Sequence, residues 1–158
     1  MTAYPMPDAS RVHATLGVLF EGLGVRAASR RRGPPAQGSW IGLYAADSGA
    51  PVAACLADPA FAAHASAALS MLPPALARAA ADTGELTDLM VGNLREVLHI
   101  CARLLACEES PHLRLAELYR AGALPAAVSA LLGGSARRID FELTVPKYGP
   151  GTLAVVST

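Results

Sequence analysis

Apolar residues recur along this chain with two different periods, and the switches between them mark out its elements. Asp8-Ala9-Ser10 offers N-cap chemistry. After it, Val12, Leu16, Leu19, Phe20 and Leu23 follow at helical spacing until Gly22 and Gly24 break the pattern. A short strand-like VRAAS leads to a polar Arg/Pro/Gly loop. SWIGLYA and PVAACLA then read as two strands joined by ADSG, with Asp47-Ser48-Gly49 supplying the turn. Asp58-Pro59 starts a second helix through Phe61, Ala65, Ala68, Leu69 and Leu72, which Pro73-Pro74 stops or redirects. The spacing predicts a long helix from about Thr83, a plausible N-cap, to Cys107. Its core stripe is Leu86, Met90, Leu94, Val97, Cys101 and Leu104. HLRLAELY has strand character, and LPAAVSALL reads as a short helix that Gly133-Gly134 ends. Near the C-terminus, Ile139, Phe141, Leu143 and Val145 alternate with Arg138, Asp140, Glu142 and Thr144, the plainest β signal in the chain. After the turn KYGPG comes a last strand, TLAVVS.

This order of elements predicts an α+β fold, an antiparallel sheet with helices packed on one face. No internal repeat or long linker divides it, so residues 1–158 are expected to form a single domain. With 158 residues, 53% of them apolar and 16% charged, the chain can bury a core and is far from a disordered composition. Much of the apolar share is alanine, which favours helix and close packing but adds little area per residue.

Charge and cysteine narrow the function. Thirteen basic residues balance thirteen acidic ones, which leaves no broad electrostatic footprint for nucleic acid. The run Arg30–Arg31–Arg32 before Gly33-Pro34-Pro35 reads as a solvated loop. Cys55, Cys101 and Cys107 are odd in number and include no C-x-x-C, against a disulfide framework or a structural zinc site. No signal peptide and no apolar run of membrane-spanning length is visible, so a reduced, cytoplasmic setting without membrane contact is the expectation.

Candidate chemistry lies on the long helix. At about 100° per residue Asp88, Gly92, Glu96, His99 and Arg103 share one stripe, roughly opposite the core stripe. Glu96 and His99 are i,i+3 neighbours and can address one small target together. A solvated helix face is the ordinary reading of such a pair. Gly92 costs about 1 kcal/mol relative to Ala in mid-helix, so it marks either close approach by another backbone or tight packing within the protein. Glu96-x-x-His99 alone supplies too few metal ligands, and no H-E-x-x-H, G-x-S-x-G or Walker motif is present. His13, His64 and His112 read as surface or half-buried residues.

The order of elements, the hairpin IGL…SG.PVA and the segment Glu96-Val97-Leu98-His99 after GELTDLMVGNLR together resemble the CheC/CheX-type chemotaxis phosphatases, over about Ala9 to Val156. That family carries E-x-x-N on a surface helix and acts on the phosphoaspartate of CheY-like receiver domains. The single visible motif is more similar to the CheX-like branch. His99 stands where the family has Asn, and GELTD, from Glu85 to Asp88, is a rival register. The resemblance implies Glu96 and His99 as the catalytic pair, and a partner-binding face that includes Asp88, Gly92, Arg95 and Arg103. It implies no cofactor of the chain's own, since the Mg²⁺ belongs to the receiver, and it implies a homodimer. Glu96 would be the docking carboxylate. A neutral imidazole at His99 has one donor and one acceptor and could hold water or act as a base, but it is bulkier than an amide.

Three readings follow. One is a receiver-directed aspartyl-phosphate phosphatase, weak or altered because of His99. Another is a non-catalytic receiver-binding or dimerising adaptor on the same fold. The third is an unrelated small sensory or ligand-binding α+β domain, which a deep apolar pocket would distinguish. The first needs Glu96 and His99 exposed together on one helix, while the second could use that helix or a sheet edge.

Overall fold

The computed structural model describes residues 4–28, 35–108, 112–133 and 136–158. The Arg30–Arg32 loop and Gly134 lie outside them. In chain order the elements are α1 (Ala9–Leu16), β1 (Gly24–Ala27), β2 (Trp40–Ala45), β3 (Pro51–Ala57), α2 (Pro59–Leu69), α3 (Pro74–Thr83), α4 (Asp88–Cys101), β4 (Arg114–Arg120), α5 (Ala126–Gly133), β5 (Arg137–Val145) and β6 (Gly149–Ser157). A 3-10 turn, Ala102–Leu105, extends α4.

The strands form one six-stranded sheet in the order β1-β5-β6-β3-β2-β4. Every neighbouring pair is antiparallel. Two local hairpins, β2–β3 and β5–β6, are joined by the non-local pairing of β3 with β6, where Cys55 lies opposite Val155. Side chains alternate across this sheet. Tyr44, Cys55, Phe141, Leu143, Leu153 and Val155 point into the larger core, which α1, α2 and α4 cover. The opposite side of β2, β3 and β6 meets Val128 and Leu131 of α5 through Ile41, Leu43, Ala54, Leu56, Ala154 and Val156. The α+β class and the helix-covered antiparallel sheet are as the sequence implies. The short C-terminal helix adds a cover on the second face, which explains why all six residues of β2 are buried.

Two close approaches fix the helix layer. A Cβ on Gly151 would lie 2.4 Å from the backbone nitrogen of Phe61, so the start of α2 rests directly on β6. Asp58 ties the same spot down, because its Oδ1 accepts from the Phe61 N–H at 2.7 Å and from the Thr152 N–H at 3.0 Å. A Cβ on Gly42 would meet Leu98 and Leu115 at 3.1 Å, so α4 lies close over β2.

The helix expected over Thr83–Cys107 is two elements. Thr83 ends α3 instead of starting α4: its hydroxyl donates to the Ala79 carbonyl at 3.0 Å and accepts from the Glu85 N–H at 3.2 Å. Gly84 then adopts a left-handed conformation, φ 73°, which closes α3 and which a glycine takes without a Cβ penalty. Thr87 is the actual N-cap of α4, with its Oγ1 accepting from the Met90 N–H at 3.3 Å. Leu86, placed on the core stripe by its spacing, precedes the helix. α2 closes at Leu69, ahead of Pro73-Pro74: Met71 is left-handed at φ 52° and the Leu72 N–H bonds back to the Ala67 carbonyl at 2.9 Å, so Leu72 lies beyond the helix. Pro74 opens α3 at its first position, where its missing N–H has no helical role. The first helix is shorter than its apolar pattern, since turns from Gly17 onward carry Leu19, Phe20 and Leu23 into the core.

Candidate functional site

α4 is held as a rigid platform. Its inner side is the buried series Met90, Leu94, Val97, Leu98 and Cys101. Asn93, half-buried, donates through Nδ2 to the Ser66 carbonyl at 2.9 Å and to Ser70 Oγ at 2.7 Å, which joins α4 to the end of α2. At its C-terminal end the Ala102 N–H turns to the His99 and Ile100 carbonyls. The buried Tyr44 hydroxyl donates to the Leu98 carbonyl, one residue before His99. Burial in the first place, and then Cys55 and Cys101 beside it, push the Tyr44 phenol above its usual range, so it stays a donor. Hydrogen bonding with Cys55, followed by burial, likewise raises the Cys101 thiol. These two thiols belong to the core beneath the helix, while Cys107 is exposed.

Charged groups anchor both ends. Arg11 of α1 donates to the Arg103 carbonyl at 3.0 Å and to the Ala106 carbonyl, which satisfies acceptors where the helical ladder runs out. At the other end Arg120 of β4 lies 5.3 Å above the Trp40 ring centroid and donates to the Gly84 carbonyl at 3.3 Å and to Glu85 at 3.1 Å. The turn between α3 and α4 is thereby stapled to the sheet edge.

Against this fixed inner side, the outer side is bare. Asp88, Gly92, Arg95, Glu96, His99 and Arg103 are all exposed. Among the described residues the side chains of Asp88, Arg95, Glu96 and His99 have no hydrogen-bond or ion-pair partner. Glu96 and His99 stand one turn apart with open solvent above them, which is the condition a docking pair needs. A Cβ on Gly92 would meet nothing within 4 Å. Packing among the described residues therefore does not account for this glycine. The rival register fails on geometry: Glu85 precedes the helix and is bound to Arg120, so Glu85 and Asp88 do not share a helical turn.

Beside the stripe lies a feature with no counterpart in the sequence reading. Leu72, Leu76, Ala79, Ala80, Leu89 and Met90 line an open apolar groove of about 400 Å³ between α3 and the start of α4, with Thr83, Glu85 and Thr87 also along it. Leu76 is 54% and Leu89 55% exposed, and Met71 nearby on the α2–α3 turn is 87% exposed. The signal that could have found the groove was PPALARAAADTG, a helix with Pro at its first position and Gly after its last. Among the described residues no three His, Cys, Asp or Glu side chains gather as a metal site, and no helix is long and apolar enough to cross a membrane.

No protein-family model matches the chain, and no curated protein matches it either. Solved structures do. The FliM of the H. pylori FliM–SpeE complex superposes with a TM-score of 0.69 at 10% identity, covering 94% of this chain and 80% of that one. Thermotoga maritima FliY gives a TM-score of 0.63 at 11% identity, over 95% of this chain and 83% of that one. FliM of the H. pylori FliG–FliM complex gives 0.59 at 9% identity, over 94% and 83%. At such identities the likeness is one of fold: the chain has the fold of the CheC/CheX-type proteins and of the FliM and FliY middle domains.

Proposed function

We propose that this chain is a protein-binding domain that docks a CheY-like receiver through the outer face of α4, with Glu96 as the contact carboxylate and His99 beside the receiver's phosphoaspartate. The observation that carries this reading is the joint exposure of Glu96 and His99 on a helix whose inner face is fully committed to the core. Burial of either side chain would have removed it. A receiver's aspartyl phosphate already has its own Mg²⁺, so the docked partner contributes position and charge and needs no metal of its own. Glu96 can pair with a cation at the receiver's site. A neutral His99 imidazole offers one donor and one acceptor to a water in line with phosphorus, where an amide would offer a smaller group of fixed orientation. Dephosphorylation in this reading is weak or altered, and the setting is the cytoplasm, where receivers work.

The adaptor reading has an observation of its own in its favour. The structures similar in fold at TM-scores of 0.59 and above include FliM bound to FliG and FliM bound to SpeE, domains in complex with other proteins. One experiment separates the readings. A set of receivers is charged with a small phosphodonor, and phosphate loss and binding are followed with wild type, Glu96→Ala and His99→Asn. Faster decay with wild type, lost in Glu96→Ala and raised in His99→Asn, is the phosphatase outcome. Binding that needs Glu96 without any change in decay is the adaptor outcome. If no receiver binds and no decay rate moves, the whole reading fails.

A further inference from the structure

We infer that the apolar groove between α3 and the start of α4 docks a basic amphipathic helix of another protein. This docking is independent of a receiver at Glu96 and His99. Three properties of the groove select that occupant.

The first is its wall. Leu76 of α3 and Leu89 of α4 stand half-exposed in it, and Ala79 and Ala80 beside them take up little space. Leucines held open in this way gain by burial against a partner. The wall is also preformed. Gly84 closes α3 with a left-handed φ of 73°, and Arg120 donates to the Gly84 carbonyl and to Glu85, which fixes the turn between the two helices. A guest therefore meets a surface that needs little ordering.

The second is backbone. Both sides of the groove are helical, so most of their N–H and C=O groups are bonded within their own turns. An extended peptide would find no strand edge there and would leave its own backbone groups unbonded against an apolar wall. A helix satisfies its backbone internally and brings only side chains. From Leu76 to Thr83 the wall runs about 10 Å at 1.5 Å per residue, which is the reach of apolar anchors at i, i+4 and i+7 of a guest helix.

The third is charge. Asp82, Glu85 and Asp88 are exposed about the α3–α4 turn, each being a lining residue or next in sequence to one. Arg120 pairs with Glu85, while Asp82 and Asp88 have no partner among the described residues. Between Met71 and Leu94 the one basic residue is Arg78. It lies about 150° around α3 from the mean direction of Leu76, Ala79, Ala80 and Thr83, away from the groove. The groove is thus apolar at Leu72 and Leu76 and acidic toward the turn. A helix with Lys or Arg at one end of its apolar face matches both. A fatty acid, the small-molecule alternative, would bring a carboxylate to an acidic mouth.

A displayed library of helical peptides of roughly 15 residues tests this, with apolar residues at i, i+4 and i+7 and a free choice of Lys or Glu elsewhere. Selection on the wild-type chain is expected to enrich Lys over Glu toward one end of the helix. A selected peptide, made free and labelled, is expected to lose affinity about tenfold or more on Leu76→Ser and on Leu89→Ser. Unfolding midpoints of these two variants check that they fold. Selection on D82K/D88K is expected to enrich Glu instead, a reversal that loss of folding cannot imitate. Enrichment of Glu or of neither charge on the wild type overturns the inference, as does an unchanged preference in D82K/D88K. A selected peptide that binds both leucine variants as tightly as wild type overturns it too. So does the retention of no peptide at all, whether or not laurate binds in the groove.

Discussion

α2 and α4 lie side by side on the same face of the sheet, and they use it in opposite ways. In α2 every residue from Phe61 to Ala67 is buried, including His64 and Ser66. In α4 buried and exposed positions alternate at helical period, and apart from Leu89 and Gly92 the exposed ones, Asp88, Arg95, Glu96 and His99, are polar side chains without partners among the described residues. Both helices carry a histidine among apolar neighbours, so residue type does not distinguish them. The difference lies in what covers them. α2 is enclosed by β6, the β5–β6 turn, α3 and α4, while none of the described residues covers the outer side of α4. A polar residue in α2 is a cost the fold absorbs, whereas in α4 it is available for another molecule.

The sharpest way to break this contrast is to truncate one side chain on each helix. Phe61 is fully buried where α2 touches Gly151. Phe61→Ala is expected to cost about 3–5 kcal/mol in a denaturant titration, since it removes apolar contact and leaves a cavity between helix and sheet. Glu96→Ala and His99→Asn are expected to stay within about 0.5 kcal/mol of wild type. A large loss for either α4 variant would mean that the pair holds the fold together, and α4 would then be a second core helix.

Legibility of the sequence followed locality. Asp58-Pro59 and the hairpin turn at Asp47-Ser48-Gly49 were readable because a cap or a turn is decided within a few residues. Exposure of Glu96 and His99 was readable for a similar reason: a helix with one apolar stripe fixes what lies opposite. α3 was missed because Pro73-Pro74 reads first as a terminator, although the apolar and polar sides of PALARAAADT are as distinct as those of α4. Missing α3 made Thr83 look like a start instead of an end. It also hid the groove, whose walls come from two helices and belong to neither alone. The pairing of β3 with β6 and the placing of α5 on the second face are set by contacts between distant residues, which no local pattern carries.

Gly92 sharpens the comparison further. In α2 the tight glycine contact is with Gly151 of the sheet, where a methyl group has no room. At Gly92 a methyl group meets open space and helical backbone geometry. Gly92→Ala is therefore expected to stabilise the monomer by about 1 kcal/mol in thermal or chemical unfolding. A loss of stability would mean that something in the chain packs against it after all.

The smallest effect expected comes from the histidine that α2 encloses. His64 is 6% exposed, its Nδ1 has no hydrogen-bond partner among the described residues, and its ring lies against Gly149. Burial lowers its pKa from the ordinary histidine value of 6.5, and the charge of Asp58 opposes that shift without reversing it. Folding therefore favours the neutral ring. Above about pH 6.5 both folded and unfolded chains hold it neutral and it adds no pH dependence. As the pH falls below that value the unfolded chain takes up a proton that the folded chain resists, so stability declines until the folded pKa is passed. Unfolding midpoints measured from pH 7.5 down to 5 should show this decline, flattened in His64→Leu, in which the ring no longer titrates. An unchanged acid slope in that variant would mean that His64 reaches a partner or solvent when it is protonated. The enclosure that sets α2 apart from α4 would then be looser than its packing implies.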